Sequence, residues 1–165
     1  CDGVVLALMT PAAVGDAASL VVERARTAGR DPAEVDVAGR LMVMIDEPED
    51  AARRYVQRLL AFYLSSDVYR RSFSRQGFDK EVERFRRRWD AGERAQAAAE
   101  LPDELLNVAV IAGSADHVRR RIDEYRSRGL RTPLLYPLTT ATHPDEVRQR
   151  VRAAVSVLAP VATES

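Results

Sequence analysis

Cysteine is all but missing from this chain: Cys1 is the only one in 165 residues. No intrachain disulfide can form, and there is no thiolate set for zinc or an iron–sulfur cluster. A reducing, cytoplasmic setting is the expectation. The two histidines, His117 and His143, stand at helix starts outside any metal-binding pattern, so no metal is expected. Net charge is absent as well: 25 basic residues meet 25 acidic ones, which removes the global basic field that would gather nucleic acid or coat an anionic membrane. No apolar run is long enough to span a bilayer. HExxH, GxSxG and Walker loops are all missing, which excludes zincin, α/β-hydrolase and P-loop chemistry. Lysine occurs once, as Lys80, so the positive charge is arginine. Arg84-Phe85-Arg86-Arg87-Arg88-Trp89 could grip a nucleic acid in principle. Its aromatics lie four residues apart, however, and Glu81 and Glu83 offset the charge, so the expectation is a solvated face beside a buried aromatic stripe. Arg119-Arg120-Arg121 reads the same way.

What is present is a strict local grammar. Gly3 to Met9 is a nearly continuous apolar run, the mark of a strand buried on both faces. Thr10-Pro11 follows as N-cap and first helical position. Val14, Ala17, Ala18, Val21 and Ala25 then share one helical face, and Gly29 supplies the stop. After the turn Arg30-Asp31-Pro32-Ala33-Glu34, residues Val35 to Ile45 form a second apolar strand. Asp46-Glu47-Glu49-Asp50 could suggest a cation site, but it lacks calcium-loop spacing and fits the acidic start of a helix.

From about 48 to 112 the chain reads as a helical insertion between the second and third strands. Ala52, Tyr55, Val56, Leu59, Leu60 and Tyr63 recur at helical spacing, and so do Val82, Phe85 and Trp89. Further helices are predicted over 93–100 and 103–111. Gly113-Ser114 then opens a helix with Val118, Ile122 and Tyr125 as its buried stripe and Gly129 as its stop. Thr132 to Pro137 is a short third strand, with Pro133 allowed only near its beginning. A last helix after His143 turns Val147, Val151, Ala154, Val155 and Leu158 inward. Three parallel strands leave two open edges, which invites association. A closed (β/α)8 barrel abolishes edges and is typically much longer than this chain. The start inside an apolar strand, without an initiator Met, points the same way. The expected fold is therefore α/β: residues 1–165 as one partial-barrel domain, the C-terminal portion of a TIM barrel with about three parallel strands, flanking helices and a helical insertion.

Particular residues carry a resemblance. Asp2-Gly3-Val4-Val5-Leu6 opens a barrel strand, and Ala28-Gly29-Arg30-Asp31-Pro32-Ala33-Glu34-Val35 makes a helix-to-strand turn. Leu59 to Leu64 and Phe73 to Phe78 lie in the insertion. Leu101-Pro102-Asp103-Glu104-Leu105, Ala112-Gly113-Ser114 and Gly129 to Leu135 complete the order. This succession, over nearly the whole chain, resembles the C-terminal part of the luciferase-like monooxygenase superfamily. The resemblance implies barrel strands six, seven and eight. It further implies an oxidoreductase or monooxygenase acting on a small organic substrate with bound FMN or the deazaflavin coenzyme F420, held mainly by residues outside this chain.

Barrel sites lie at the C-terminal ends of the strands. Those ends nominate Thr10 and Tyr136 for cofactor binding and Met9, Met44 and Pro137 for the substrate pocket; no catalytic residue can be named. Thr10-Pro11 and Gly113-Ser114 each have two readings, a phosphate-binding helix start or a plain cap, and the cap is favoured at both. The expected partners are a small molecule and either a second copy of the chain or an N-terminal half of the barrel. A non-catalytic partial barrel that pairs through its edges, and a small arginine-rich binding module, are the alternative readings.

Overall fold

The computed structural model describes residues 2–159. Four strands, all parallel, form its sheet: β1 Gly3–Ala7, β2 Asp36–Ile45, β3 Ile111–Gly113 and β4 Thr132–Pro137. The long β2 is the axis. Gly3 to Ala7 pair with Asp36 to Arg40, and Thr132 to Pro137 pair with Ala38 to Val43. Residues 38–40 of β2 pair with both strands, so β1 and β4 lie on opposite edges. β3 pairs with Val43 to Ile45 and extends the β1 edge. The long strands thus stand in chain order, β1–β2–β4, as neighbouring barrel strands do.

Helix α1 (Pro11–Thr27) begins as its sequence dictates: Thr10 accepts from the Ala13 N–H at 3.1 Å, and Gly29 leaves the helix at φ 70°. Between β2 and β3 run α2 (Glu49–Leu64), α3 (Asp67–Phe73), α4 (Asp79–Asp90), α5 (Arg94–Ala99) and α6 (Asp103–Ala109). A widened turn, Ser74–Phe78, joins α3 to α4, kinked where Gly77 takes φ 94°. Helix α7 (Ala115–Ser127) precedes β4, and α8 (Pro144–Leu158) follows it.

Strand alternation sorts β2 between two cores. Val37, Leu41 and Val43 face α1 and α7, packing with Val14, Ala18, Val118, Ile122 and Tyr125. Met42 and Met44 face the other way, against Val56, Leu60, Leu105 and Leu106 of the insertion. Val43 and Met44 are fully buried, each on the order of 1.5–3 kcal/mol of transfer free energy. On the side of α1 and α7, space at Gly39 is tight: a Cβ there would lie 2.6 Å from Leu130 Cδ1, so any side chain at this position requires the buried Leu130 side chain to shift.

Three expectations need correction. β1 is not buried on both faces: it ends at Ala7, and Val5 is 67% exposed on the face away from α1 and α7. Residues 103–111 are not one helix. Val110 is already extended (φ −142°, ψ 131°), and Ile111 to Gly113 form a short strand. The apolar run could not distinguish these, because a helix buried on all sides and a buried strand share that pattern. In α8, Ala154 is buried but Val155 is 55% exposed, because the helix touches the rest of the protein along a narrow line. The arginine-rich helix is as expected. Phe85 is buried and stacks on Trp89 at 5.2 Å, while Arg86 meets Glu83 and Asp90.

Candidate active site at the strand ends

The C-terminal ends of the strands converge on one rim. Two residues other than glycine take positive φ there: Leu8 (55°) just beyond β1 and Asp46 (51°) just beyond β2. Aspartate tolerates this region, but leucine does so at a cost of about 1–2 kcal/mol and must be held. Gln76, from the widened turn, does the holding. Its Nε2 donates to the Leu8 carbonyl at 3.1 Å and to the Ser72 carbonyl at 3.2 Å, and its Oε1 accepts from the Thr10 N–H at 2.7 Å. From the other core, the Tyr125 hydroxyl donates to the Met9 carbonyl at 2.8 Å. Burial first, modulated by the charges of Arg121 and Glu124, pushes the Tyr125 phenol up to about 12.

The β2 end carries a second device. Glu47 turns its carboxylate inward, its side chain only 2% exposed. It accepts from the Thr139 hydroxyl at 2.6 Å and from the Thr140 hydroxyl, and Arg150 of α8 lies 3.5 Å away. Burial alone would raise this carboxyl. The two hydroxyls, the Thr140 backbone and the Arg150 charge outweigh it and hold Glu47 below its ordinary 4.5. The loops after β2 and β4 are thereby latched together. Beside Glu47 opens a cleft of about 420 Å3 whose lining includes Met44, Asn107 and Ala112, with the Arg53–Asp103 ion pair at the same place.

The residues nominated from sequence fall in different places. Met44 and Tyr136 lie on the same face of the sheet, the one opposite α1 and α7; Met44 is sealed by the insertion and Tyr136 is 54% exposed. Met9 packs with the helix-side core, and Pro137, in register with Val43, belongs to that same side. Thr10 is engaged within the chain through both hydroxyl and N–H. Sequence reasoning missed Glu47 and Gln76. Glu47 hides in an acidic run whose Glu49 and Asp50 do start a helix. Gln76 stands in a segment without periodicity, where nothing marks a side chain reaching 68 positions back. Among the described residues no three His, Cys, Asp or Glu side chains gather as a metal-binding set, and no helix is long and apolar enough to cross a membrane.

The face that bears Tyr136 also exposes Val5 (67%) and Leu134 (44%), with the half-buried Arg40 between their strands. An apolar, partly aromatic surface with a cation beside it fits a planar, polar-edged ring system.

Comparison with known proteins gives this rim a context. The sequence profile of the luciferase-like monooxygenase family matches residues 1–132. A curated relative, the "putative coenzyme F420-dependent oxidoreductase" of Mycobacterium tuberculosis, is 30% identical over 62% of this chain and 31% of its own length. Among solved structures, the coenzyme F420-dependent tetrahydromethanopterin reductase of Methanopyrus kandleri superposes with a TM-score of 0.70. It is 24% identical, over 92% of this chain and 43% of the reductase, a likeness of fold. The chain thus spans less than half the length of either protein.

Proposed function

Because the chain belongs to the luciferase-like monooxygenase family, we propose that it forms the C-terminal portion of a cytoplasmic oxidoreductase. That enzyme transfers a hydride between deazaflavin coenzyme F420 and a small organic substrate. The observation that carries the choice of coenzyme is the curated relative at 30% identity, whose name specifies F420. When bound, the deazaflavin supplies the hydride chemistry, and the protein supplies surface, orientation and exclusion of water.

In this reading Tyr136, Leu134 and Val5 belong to the barrel interior and would contribute surface to the ring system. The insertion roofs the β2 end through Met42 and Met44. The Gln76 clamp and the Glu47 latch fix the rim on which a substrate pocket can form. The same reading has the apolar face and both open sheet edges covered by further barrel strands, whether from the same polypeptide or from a second copy. The helices between β2 and β3, α2 to α6, act as the roof of one barrel domain and not as a domain of their own.

The test is a titration of the protein, at its natural length, with coenzyme F420 and with FMN, followed by fluorescence. Saturable binding of F420 at a lower concentration than FMN is expected, weakened by Tyr136→Ala. Preference for FMN overturns the choice of coenzyme, and binding of neither overturns the oxidoreductase reading.

A further inference from the structure

Arginine is abundant here and nearly always accounted for. Of the half-buried arginines, Arg30, Arg70, Arg88, Arg121 and Arg150 each lie against a carboxylate. Among the described residues, the other arginines that make no ion pair are exposed on helix faces or at turns, and Arg131, in the loop before β4, gives its guanidinium to the Pro32, Ala33 and Val35 carbonyls; one arginine is the exception. Arg40 is half-buried in the middle of β2, and among the described residues it makes no ion pair. Its one side-chain hydrogen bond among the described residues runs from Nη2 to the Tyr63 hydroxyl oxygen of α2, at 3.3 Å.

Placement makes this exception informative. Arg40 lies on the Met42–Met44 face of β2, in register with Ala7 of β1 and Leu134 of β4. Ala7 and Ala38, the small residues next to it across and along the sheet, leave room around its side chain. An amine in such a place could lose its proton, but a guanidinium stays charged. A cation withdrawn from bulk water calls for an anion or pays in desolvation. Tyr63 strengthens the point. Its oxygen accepts from Arg40, so its own O–H remains to donate, and no acceptor for it stands among the described residues. The ring is held by an edge-to-face contact with Tyr69 at 4.8 Å. Guanidinium N–H groups and a phenol O–H, fixed side by side, are a donor set for an oxyanion.

We propose that Arg40 and Tyr63 form an oxyanion-binding subsite on the inner face of the sheet, taking a phosphate or carboxylate group of the molecule the enzyme binds. The subsite rests on the oxidoreductase reading only for whether that anion belongs to cofactor or substrate; the subsite itself is judged by an anion alone.

The probe is inorganic phosphate, with sulfate as a second anion, added at constant ionic strength to the protein at its natural length while thermal unfolding is followed. Wild type should gain Tm with saturation. Arg40→Gln should lose that response, and Tyr63→Phe should need a several-fold higher phosphate concentration. Arg40→Lys, which keeps charge without the planar fork, should respond weakly, and it carries the test together with Tyr63→Phe if Arg40→Gln does not fold. Coenzyme F420 binding to the same variants then assigns the anion. A rise in Kd of about tenfold or more places the anion on the cofactor, and an unchanged Kd places it on the substrate. Either result leaves the subsite standing. Phosphate and sulfate that fail to stabilise wild type, or that stabilise every variant equally, overturn it: Arg40 then answers a carboxylate from elsewhere in the barrel. If wild type responds to phosphate but binds neither F420 nor FMN, the subsite survives and the oxidoreductase reading falls.

Discussion

Glu47→Gln removes one charge and almost no volume, and it strikes the latch between the β2 and β4 loops. In the wild type the carboxylate receives the Thr139 and Thr140 hydroxyls with Arg150 at 3.5 Å. Hydrogen bonds to a charged acceptor contribute on the order of 1.5–3 kcal/mol each. Glutamine keeps one acceptor and relieves the cost of burying a charge. Arg150, 38% exposed, retains water when its partner is neutralised. The net loss is therefore about 1.5 kcal/mol, well short of the roughly 3–5 kcal/mol for breaking a fully buried pair. For a protein of this size that corresponds to a fall in Tm of about 3–6 °C. The pH dependence has a definite sign. The folded Glu47 carboxyl lies below its ordinary 4.5, so its contribution is fully present above pH 4.5 and is lost as pH falls through the folded value. Denaturant unfolding of wild type and variant, compared from neutral pH downward, should show a gap at pH 7 that closes in acid. Glu83 provides the control. Arg86 lowers its carboxyl too, but the pair is exposed, and Glu83→Gln should leave the midpoint where it is. A Glu47→Gln gap that is missing at pH 7, or that persists unchanged into acid, refutes the latch.

Gln76→Ala should cost about 1–3 kcal/mol, because it orphans the Thr10 N–H and the Leu8 carbonyl, and hydrogen exchange should quicken at Met9 and Thr10 more than in α7. Gly39→Ala should destabilise by about 1–3 kcal/mol through overlap with Leu130, and a Leu130→Val change in the same chain should recover part of it, as a double-mutant cycle would register. Tyr125, pushed up to about 12 by burial, stays neutral in the folded protein while an unfolded tyrosine ionises near 10. Stability should therefore fall as pH rises from 10 toward 12, and Tyr125→Phe should flatten that fall. Equal alkaline slopes for the two proteins would remove the effect.

Much of the fold was legible because local rules and tertiary packing agree. Thr10-Pro11 and Gly29 bound α1, Ser114 and Gly129 bound α7, and the Val118, Ile122 and Tyr125 stripe lies in the core. Strands β1, β2 and β4 declare themselves as short apolar runs between turn residues. The short β3 did not, because a three-residue strand has no period and its hydrogen bonds depend on the end of β2. The site was less legible for the same reason. Strand ends could be located, and Met44 and Tyr136 do share a face, but side-chain direction at a strand end depends on the turn that follows. Positive φ at Leu8 and Asp46 reorients both ends, leaving Met9 in the helix-side core. Gln76, Glu47 and Arg40 act through partners 66, 92 and 23 positions away, contacts to which local propensity is blind.

The most direct test of the central claim is the intact mass of the protein as its native host makes it, recorded with whatever small molecule it carries. The account predicts a product about twice the 18.4 kDa of this chain, with a deazaflavin spectrum and the face of Val5, Leu134 and Tyr136 closed inside a barrel. A product of 18.4 kDa without a chromophore, folded and monomeric, would contradict it.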